Sequence, residues 1–294
     1  MGSSNTLSII IPAFNEADNL KTLLPPLIEL CTQNHWKIIL VNDGSHDKTK
    51  EILDEFQQNE YFTVIHHKIN RGYGGAIKSG IIHADSEYVI TIDADGQHRM
   101  EDIEKLFRCI TEKDADMIVG SRKGLKSASL SRSVGKTLIR TIAKLLMNVP
   151  VYDINSGMKI YRTELARKYL CLAPNTMSYS DIITLIFINN RHLVLEEPIV
   201  ITKRLTGKST ISIETAFNTV MEIINIVILF NPAKVFIPLS LISLLMGIGF
   251  GLPGILSGRG ISTGCLLGIV AGIIFFLLGL IAEQLSLISR NRIN

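Results

Sequence analysis

Two apolar runs in the last quarter of the chain dictate most of what it can become. Val235–Leu256 holds no ionised residue and is interrupted only by Pro and Gly, and Ile261–Ile281 repeats the pattern. Each is long enough to cross a bilayer, since a helical span needs about 20 apolar residues. The link between them, Ser257-Gly258-Arg259-Gly260, allows only a tight connection. The pair therefore reads as a helical hairpin with both ends on one side of a membrane. Lys234, Arg290 and Arg292 flank the outer ends, against Arg259 alone in the link. That bias favours cytoplasmic ends, and with them a cytoplasmic location for whatever precedes the hairpin. Burial of the two helices inside a soluble protein is the competing reading, and the upstream chain gives no sign of a shell large enough. Gly247, Gly249, Gly251, Gly268 and Gly272 suit close helix packing, either between copies in a homo-oligomer or within one hairpin.

Upstream, apolar runs alternate with helical periodicity. Leu7–Pro12, Trp36–Val41, Phe62–His66, Tyr88–Ile92, Asp116–Gly120 and Met158–Tyr161 read as strands, and Leu193–Thr202 as an extended segment. Between them, helices are expected from apolar spacing at Leu20–Leu30, Lys50–Phe56, Ala76–Ala84, Met100–Ile110 and Tyr179–Asn189. Pro25-Pro26 inside the first pattern predicts a late start, a kink or a break near Thr22. Strand and helix repeated in this way indicate an α/β fold with a mainly parallel sheet covered by helices.

The strand Tyr88–Ile92 ends in two carboxylates one residue apart, Asp93 and Asp95, within YVITIDADGQH. Open α/β sheets place ligands outside the carboxyl ends of their strands, where this pair falls. Carboxylates so close repel unless a proton or a cation separates them, and a divalent ion carrying a diphosphate would do so. The plainer alternative is that they are turn and helix-cap residues. Both readings stand on this stretch alone.

Several polar segments are equally two-sided. Lys123–Ser133 is basic and serine-rich, a candidate loop. Val134–Leu146 reads as a helix whose Lys136, Arg140 and Lys144 would meet anionic headgroups or solvent. Lys203–Ser209 is basic and centred on Gly207, suited to an anion, a lipid surface or a plain surface loop. Ile211–Phe230 has the periodicity of an interfacial helix, ended by Asn231-Pro232. The domain expectation is thus 1–210 catalytic, 211–233 interfacial and 234–294 membrane hairpin. A net charge of +3 gives no reason to propose nucleic acid as a partner. Cys31, Cys109, Cys171 and Cys265 form no CxxC pair, so neither a zinc site nor a disulfide scaffold is signalled. The opening MGSSNTLSII carries neither a signal peptide nor a convincing lipidation site.

Taken in order, Pro12-Ala13-Phe14-Asn15-Glu16, Asn42-Asp43-Gly44-Ser45, Asp93-Ala94-Asp95-Gly96-Gln97-His98 and Gly120-Ser121-Arg122, followed by two spans, resemble the inverting family 2 glycosyltransferases of the A-type fold. More closely, the chain looks like the polyprenyl-phosphate glycosyltransferases, which include dolichyl-phosphate mannosyltransferases and bacterial undecaprenyl-phosphate glucosyltransferases. That resemblance implies one Rossmann-like nucleotide-sugar-binding domain in front of the hairpin. It implies a nucleotide pocket bordered by Pro12, Ala13 and Glu16, with Asp43 on the nucleoside and Arg71 and Gly72 through Gly75 lining the nucleotide and sugar site. Asp95 would ligate Mg²⁺ or Mn²⁺, supported by Asp93, with Ala94 and Gln97 beside the donor diphosphate. Arg122, Arg204, Lys208 and Ser209 would face phosphate, the lipid phosphate of the acceptor included.

The activity so implied is metal-dependent, inverting transfer of a hexose-type sugar from a UDP- or GDP-linked donor to a polyprenyl phosphate. In a bacterium this would occur at the inner or plasma membrane. Asp153, before the Asn-Ser-Gly turn, would act as a base, orient Arg204 or cap the turn. Gly207-Lys208-Ser209 lacks the upstream spacing of an ATPase phosphate loop. The remaining alternatives are another acceptor, processive polysaccharide synthesis, for which the Gln-x-x-Arg-Trp signature is missing, and a scaffold that lost catalysis.

Overall fold

The expected strands are built largely from β-branched or apolar residues; those in the middle of the sheet bury on both faces, as central strands of a covered sheet must, and the two at its edges are only partly buried. In the computed structural model they are β1 (Leu7–Ala13), β2 (Lys37–Asn42), β3 (Phe62–His66), β4 (Tyr88–Thr91), β5 (Met117–Ser121), β6 (Lys159–Arg162) and β7 (Val194–Pro198). The structure describes residues 6–122, 149–202, 221, 224–225, 227–258 and 260–291. These form two units, the first ending at Thr202 and the second beginning at Met221. Arg204, Lys208 and Ser209, the segment 123–146 and most of 211–230 therefore lie outside the described residues, as do Arg259 and Arg292.

The sheet runs β3-β2-β1-β4-β6-β5-β7. Every neighbouring pair is parallel except those made by β6, which lies antiparallel between β4 and β5. The sheet is thus mainly parallel, as expected, with one reversed strand. The reversal has a positional consequence. Lys159, the first residue of β6, pairs with Thr91 of β4 and Val119 of β5, so the turn leading into β6 arrives at the edge where β4 and β5 end.

Six helices accompany the described strands: α1 (Ala17–Asn34), α2 (Thr49–Phe56), α3 (Tyr73–His83), α4 (Met100–Glu112), α5 (Thr163–Tyr169) and α6 (Tyr179–Asn189). The expected break in α1 does not occur, and both prolines lie inside one continuous helix. Pro25 and Pro26 are on the solvent side with Lys21 and Thr22, so the carbonyls they leave unbonded can take water. Leu20, Leu23, Leu24, Leu27 and Cys31 bury the other side and hold the helix through the defect. α3 begins three residues earlier than its apolar spacing indicates, because Gly74 and Gly75 are helical and buried. α5 spans only seven residues, too few to carry a helical period, and is not among the expected helices.

The second unit is a hairpin of α7 (Ala233–Leu256) and α8 (Thr263–Asn291). Only 17% of the most apolar window of each is buried, which is the reverse of a soluble core helix. Both are long and apolar enough to cross a membrane. Helix–helix approach is set by small residues: a Cβ on Gly268 would stand 2.6 Å from the Cα of Gly247, and one on Gly272 2.5 Å from Leu244. Ser240 Oγ donates to the Gly272 carbonyl at 2.8 Å. Of the five glycines noted above, Gly247, Gly251, Gly268 and Gly272 serve packing within the hairpin, and only Gly249 meets nothing.

Candidate active site

The loops after β1 and β2 are stitched together before any ligand is considered. Asp43 N donates to the Ala13 carbonyl at 2.8 Å, Asn15 N to Ser45 Oγ at 3.0 Å, and His46 N to Asn15 Oδ1 at 2.8 Å. Glu16 N donates to Thr49 Oγ1 at 3.1 Å. Pro12, Ala13, Glu16 and Asp43 are thus gathered at one sheet edge, as the sequence implies. Asp43, however, is 3% exposed. Its Oδ1 accepts from Arg71 N at 2.8 Å and lies 2.6 Å from His67 Nδ1, while Oδ2 accepts from Gly72 N at 2.9 Å. The carboxylate holds the Arg71-Gly72 turn in place, a role the spacing of residues did not reveal.

Gly72 sits at φ +86°, a backbone region L side chains rarely adopt. Beyond it, Gly74 N and Gly75 N donate to the carbonyls of Thr176 and Asn175, each at 3.2 Å. The start of α3 is therefore closed by carbonyl oxygens. These two amides are therefore not a phosphate cradle.

Asp93 and Asp95 follow β4 as expected. Tyr73 donates its hydroxyl to Asp93 Oδ1 at 3.0 Å, and His98 Nε2 lies 3.5 Å from Asp93 Oδ2. Burial alone would raise the Asp93 carboxyl, but the His98 and Tyr73 contacts and the Arg122 charge outweigh it and hold it below the usual carboxylate value. His98 is itself buried, and its Nδ1 has no hydrogen-bond partner among the described residues. Asp95 is half-buried and accepts from Gln97 N at 3.2 Å across the Gly96 turn. The turn reading is thus correct for Asp95. The cap reading is not, since α4 is preceded by Arg99 and has no side-chain cap. Ala94 is buried.

The Asp95 turn is backed by the short segment that follows β7. Ile201 bridges His98, and Thr202 N donates to the Gln97 carbonyl at 3.0 Å.

Arg122 and Asp153 meet on the far side of β4. Arg122 Nε donates to Asp153 Oδ2 at 2.6 Å, Nη2 to Oδ1 at 2.7 Å, and Arg122 N to Oδ2 at 3.1 Å. Nη2 also donates to the Asn155 carbonyl at 3.0 Å. Burial raises the Asp153 carboxyl, yet the Arg122 hydrogen bonds and charge bring it below its ordinary value of 3.8. Gly157, four residues on, packs against Asp93 so tightly that a Cβ would stand 2.5 Å from its Oδ2. The turn after Asp153 therefore touches both the Arg122 side and the Asp93 side of the site.

Among the described residues no group of three or more His, Cys, Asp and Glu could hold a metal ion. The donor set is two carboxylates, hard oxygen ligands of the kind Mg²⁺ shares with substrate phosphates. Asp95 and Asp93 fit an ion that arrives with a diphosphate.

Residues 8–170 match the model of glycosyl transferase family 2. The chain belongs to this family. Residues 231–288 match the GtrB C-terminal hairpin. The polyprenol monophosphomannose synthase of Mycolicibacterium smegmatis is 30% identical over 215 residues, covering 69% of this chain and 80% of that one. An uncharacterized protein of Methanocaldococcus jannaschii is 34% identical over 57% of this chain and 69% of its own length. The undecaprenyl-phosphate 4-deoxy-4-formamido-L-arabinose transferase of Proteus mirabilis is 33% identical over 54% of this chain, which spans about half of it, 49%. The fold is shared with glucosyl-3-phosphoglycerate synthase of Mycobacterium tuberculosis, at TM-score 0.58, 14% identity, and coverage of 76% of this chain and 79% of that one. The chain is accordingly a family 2 glycosyltransferase of the A-type fold with a C-terminal apolar hairpin, which sets aside the inactive-scaffold reading.

Proposed function

We propose that this glycosyltransferase moves a hexose-type sugar from a nucleotide sugar to a polyprenyl phosphate, with inversion, at the cytoplasmic face of a membrane. Residues 1–210 form the transferase domain, 211–233 an interfacial segment and 234–294 the anchoring hairpin. The observation that carries this reading is the meeting of two opposite chemistries at one sheet edge. Carboxylates suited to a metal diphosphate follow β4, and a guanidinium suited to phosphate follows β5. The hairpin family match and the relatives named for polyprenyl-phosphate acceptors support the lipid part.

The attacking group, a phosphate monoester, is already ionised near neutral pH, so no protein base has to take its proton. Arg122 uses Nε and Nη2 on Asp153 and Asn155, and Nη1, with no partner among the described residues, would be offered to an anionic phosphate. Asp153 holds the guanidinium to one orientation and keeps it charged. Asp43 and His67 fix the Arg71-Gly72 turn that borders the donor. Tyr73 and His98 keep Asp93 ionised and aimed. Mg²⁺ or Mn²⁺, held by Asp95 with Asp93 in support, would stabilise the negative charge that grows on the leaving nucleoside diphosphate. Arg204, Lys208 and Ser209 would add positive or polar groups for the acceptor phosphate.

The test is a panel of UDP- and GDP-sugars offered with one polyprenyl phosphate to the purified protein in nanodiscs, read by mass spectrometry. A polyprenyl-phosphate sugar with release of nucleoside diphosphate is expected. Transfer to a soluble acceptor or to a growing polymer in its place would overturn the lipid assignment.

A further inference from the structure

Lys159 opens β6 and is 1% exposed, one of the largest fully buried side chains. Its ammonium donates to three backbone carbonyls: Ile154 at 2.9 Å, Ser156 at 2.6 Å and Ser180 at 2.7 Å. The first two belong to the turn between Asp153 and Gly157, and the third to the first turn of α6. All three protons of the ammonium are thereby used, and none of these partners is a side chain.

The same turn is tied at other points. Glu196 of β7 accepts from Tyr152 N at 3.1 Å and Asp153 N at 3.0 Å. Asn155 Nδ2 donates to Asp181 Oδ2 of α6 at 2.9 Å, and Thr91 Oγ1 donates to the Gly157 carbonyl at 2.7 Å. Asp181 is fully buried, and its Oδ1 has no hydrogen-bond partner among the described residues. Taking an ammonium out of water is costly, and a position that only fills core volume is stabilised at least as well by an apolar side chain of similar size. What an apolar side chain cannot do is fix three carbonyls at once.

We propose that Lys159 is a positioning residue: by gripping the Ile154 and Ser156 carbonyls, it sets the turn that aims Arg122 through Asp153 and presses Gly157 against Asp93. It contacts no reacting atom. Its action passes through the backbone, and reaches the acceptor side and the donor side of the site together. The burial that surrounds it brings its pKa down from 10.5 to about 7, opposed by the charges of Asp181 and Asp153. This assignment rests on the transfer reading above, and its test separates the two.

The experiment uses the full chain in nanodiscs, with undecaprenyl phosphate and the UDP- or GDP-sugar that the wild type turns over fastest. Lys159→Met keeps the volume and removes the donors. It should lower kcat by about 30-fold while donor KM stays within about twofold, because a misplaced positioning group costs rate more than binding. A folded variant with wild-type kcat overturns the proposal, and so does a kcat loss that merely parallels a rise in donor KM and a fall in thermal midpoint. Should Lys159→Met not fold, Asn155→Ala decides, since it cuts the turn's side-chain tie to α6. Its kcat should fall about fivefold with donor KM unchanged, and an unchanged kcat overturns the proposal. If the wild type transfers no sugar to undecaprenyl phosphate, the transfer reading fails. Amide exchange of residues 153–157 then decides the positioning role. It should be about tenfold faster in the folded variant than in wild type, and equal rates overturn it.

Discussion

Asp153 gives both of its carboxylate oxygens to Arg122, at 2.6 Å to Nε and 2.7 Å to Nη2. A carboxylate engaged in this way, with its pKa below 3.8, is a poor proton acceptor at neutral pH. Its proposed work is to orient the guanidinium. Asp153→Asn should therefore lower kcat on the order of 100-fold, the cost of breaking a largely buried charge pair. The shape of the pH profile should persist. Any acid limb near pH 6 belongs to the acceptor phosphate, whose second pKa is about 6. An acid limb that vanishes in the variant would make Asp153 the base after all.

The same pair sets an acid boundary for stability. The folded pKa of Asp153 is depressed, so its stabilising contribution is complete above the unfolded value near 3.8 and is lost as pH falls through the lower folded value. Asp93 is depressed in the same direction. The transferase unit should hold its thermal midpoint from neutral pH down to about pH 4 as far as these two groups are concerned, and lose it below. In Asp153→Asn the loss below pH 4 should be shallower, which differential scanning calorimetry at stepped pH would show.

Tyr73 supports Asp93 from the start of α3, and Tyr73→Phe removes that one hydrogen bond without changing the ring. A hydrogen bond to a charged group contributes about 1.5–3 kcal/mol, so kcat/KM should fall roughly 10- to 100-fold. The Mn²⁺ concentration for half-maximal rate should rise as well, since Asp93 then loses the hydroxyl that fixes its orientation. Unchanged metal dependence in an active Tyr73→Phe enzyme would remove Asp93 from the metal site.

Much of this site can be read from residue order, and the rest cannot, for a physical reason. Asp93, Asp95, Asp43 and Arg122 each end an apolar run, and strand ends are visible wherever burial on both faces forces a run. Tyr73, His67, Lys159 and Asp181 act through partners 20 or more residues away in sequence or through backbone carbonyls, which leave no periodic trace. Lys159 in particular reads as an unremarkable residue inside the Met158–Tyr161 run. Its importance follows from β6 entering the sheet in reverse, and strand direction is not written in the strand's own residues. The helical Gly74 and Gly75 were similarly hidden. They are buried against the 174–176 backbone, where any Cβ on Gly74 would stand 2.4 Å from the Pro174 carbonyl.

On the donor side, His67 and Asp43 form a buried unit whose object is the Arg71-Gly72 turn. Asp43→Asn offers one acceptor oxygen where two are used, and turns an amide donor toward a backbone N–H. Donor KM should rise about tenfold with kcat changed less than about threefold, the pattern of lost uniform binding. Titration calorimetry with UDP and GDP in the presence of Mn²⁺ checks this directly. Unaltered affinity for both nucleotides would place the donor away from this turn.

The hairpin offers a test of what its glycines are for. Gly268 faces Gly247 at backbone contact distance, with a prospective Cβ 2.6 Å from Cα and 2.8 Å from N, and backbone cannot yield as a flexible side chain can. Gly268→Val forces the two helices apart and should destabilise the hairpin by about 1–3 kcal/mol, the range for overpacking. Gly249 meets nothing within 4 Å, so Gly249→Leu should leave the unfolding transition where it is. Unfolding in mixed micelles, followed by far-ultraviolet circular dichroism with the size of the particle recorded, compares the two. Loss of a defined oligomer in Gly249→Leu, with Gly268→Val unaffected, would show that the small residues act between copies and not within one.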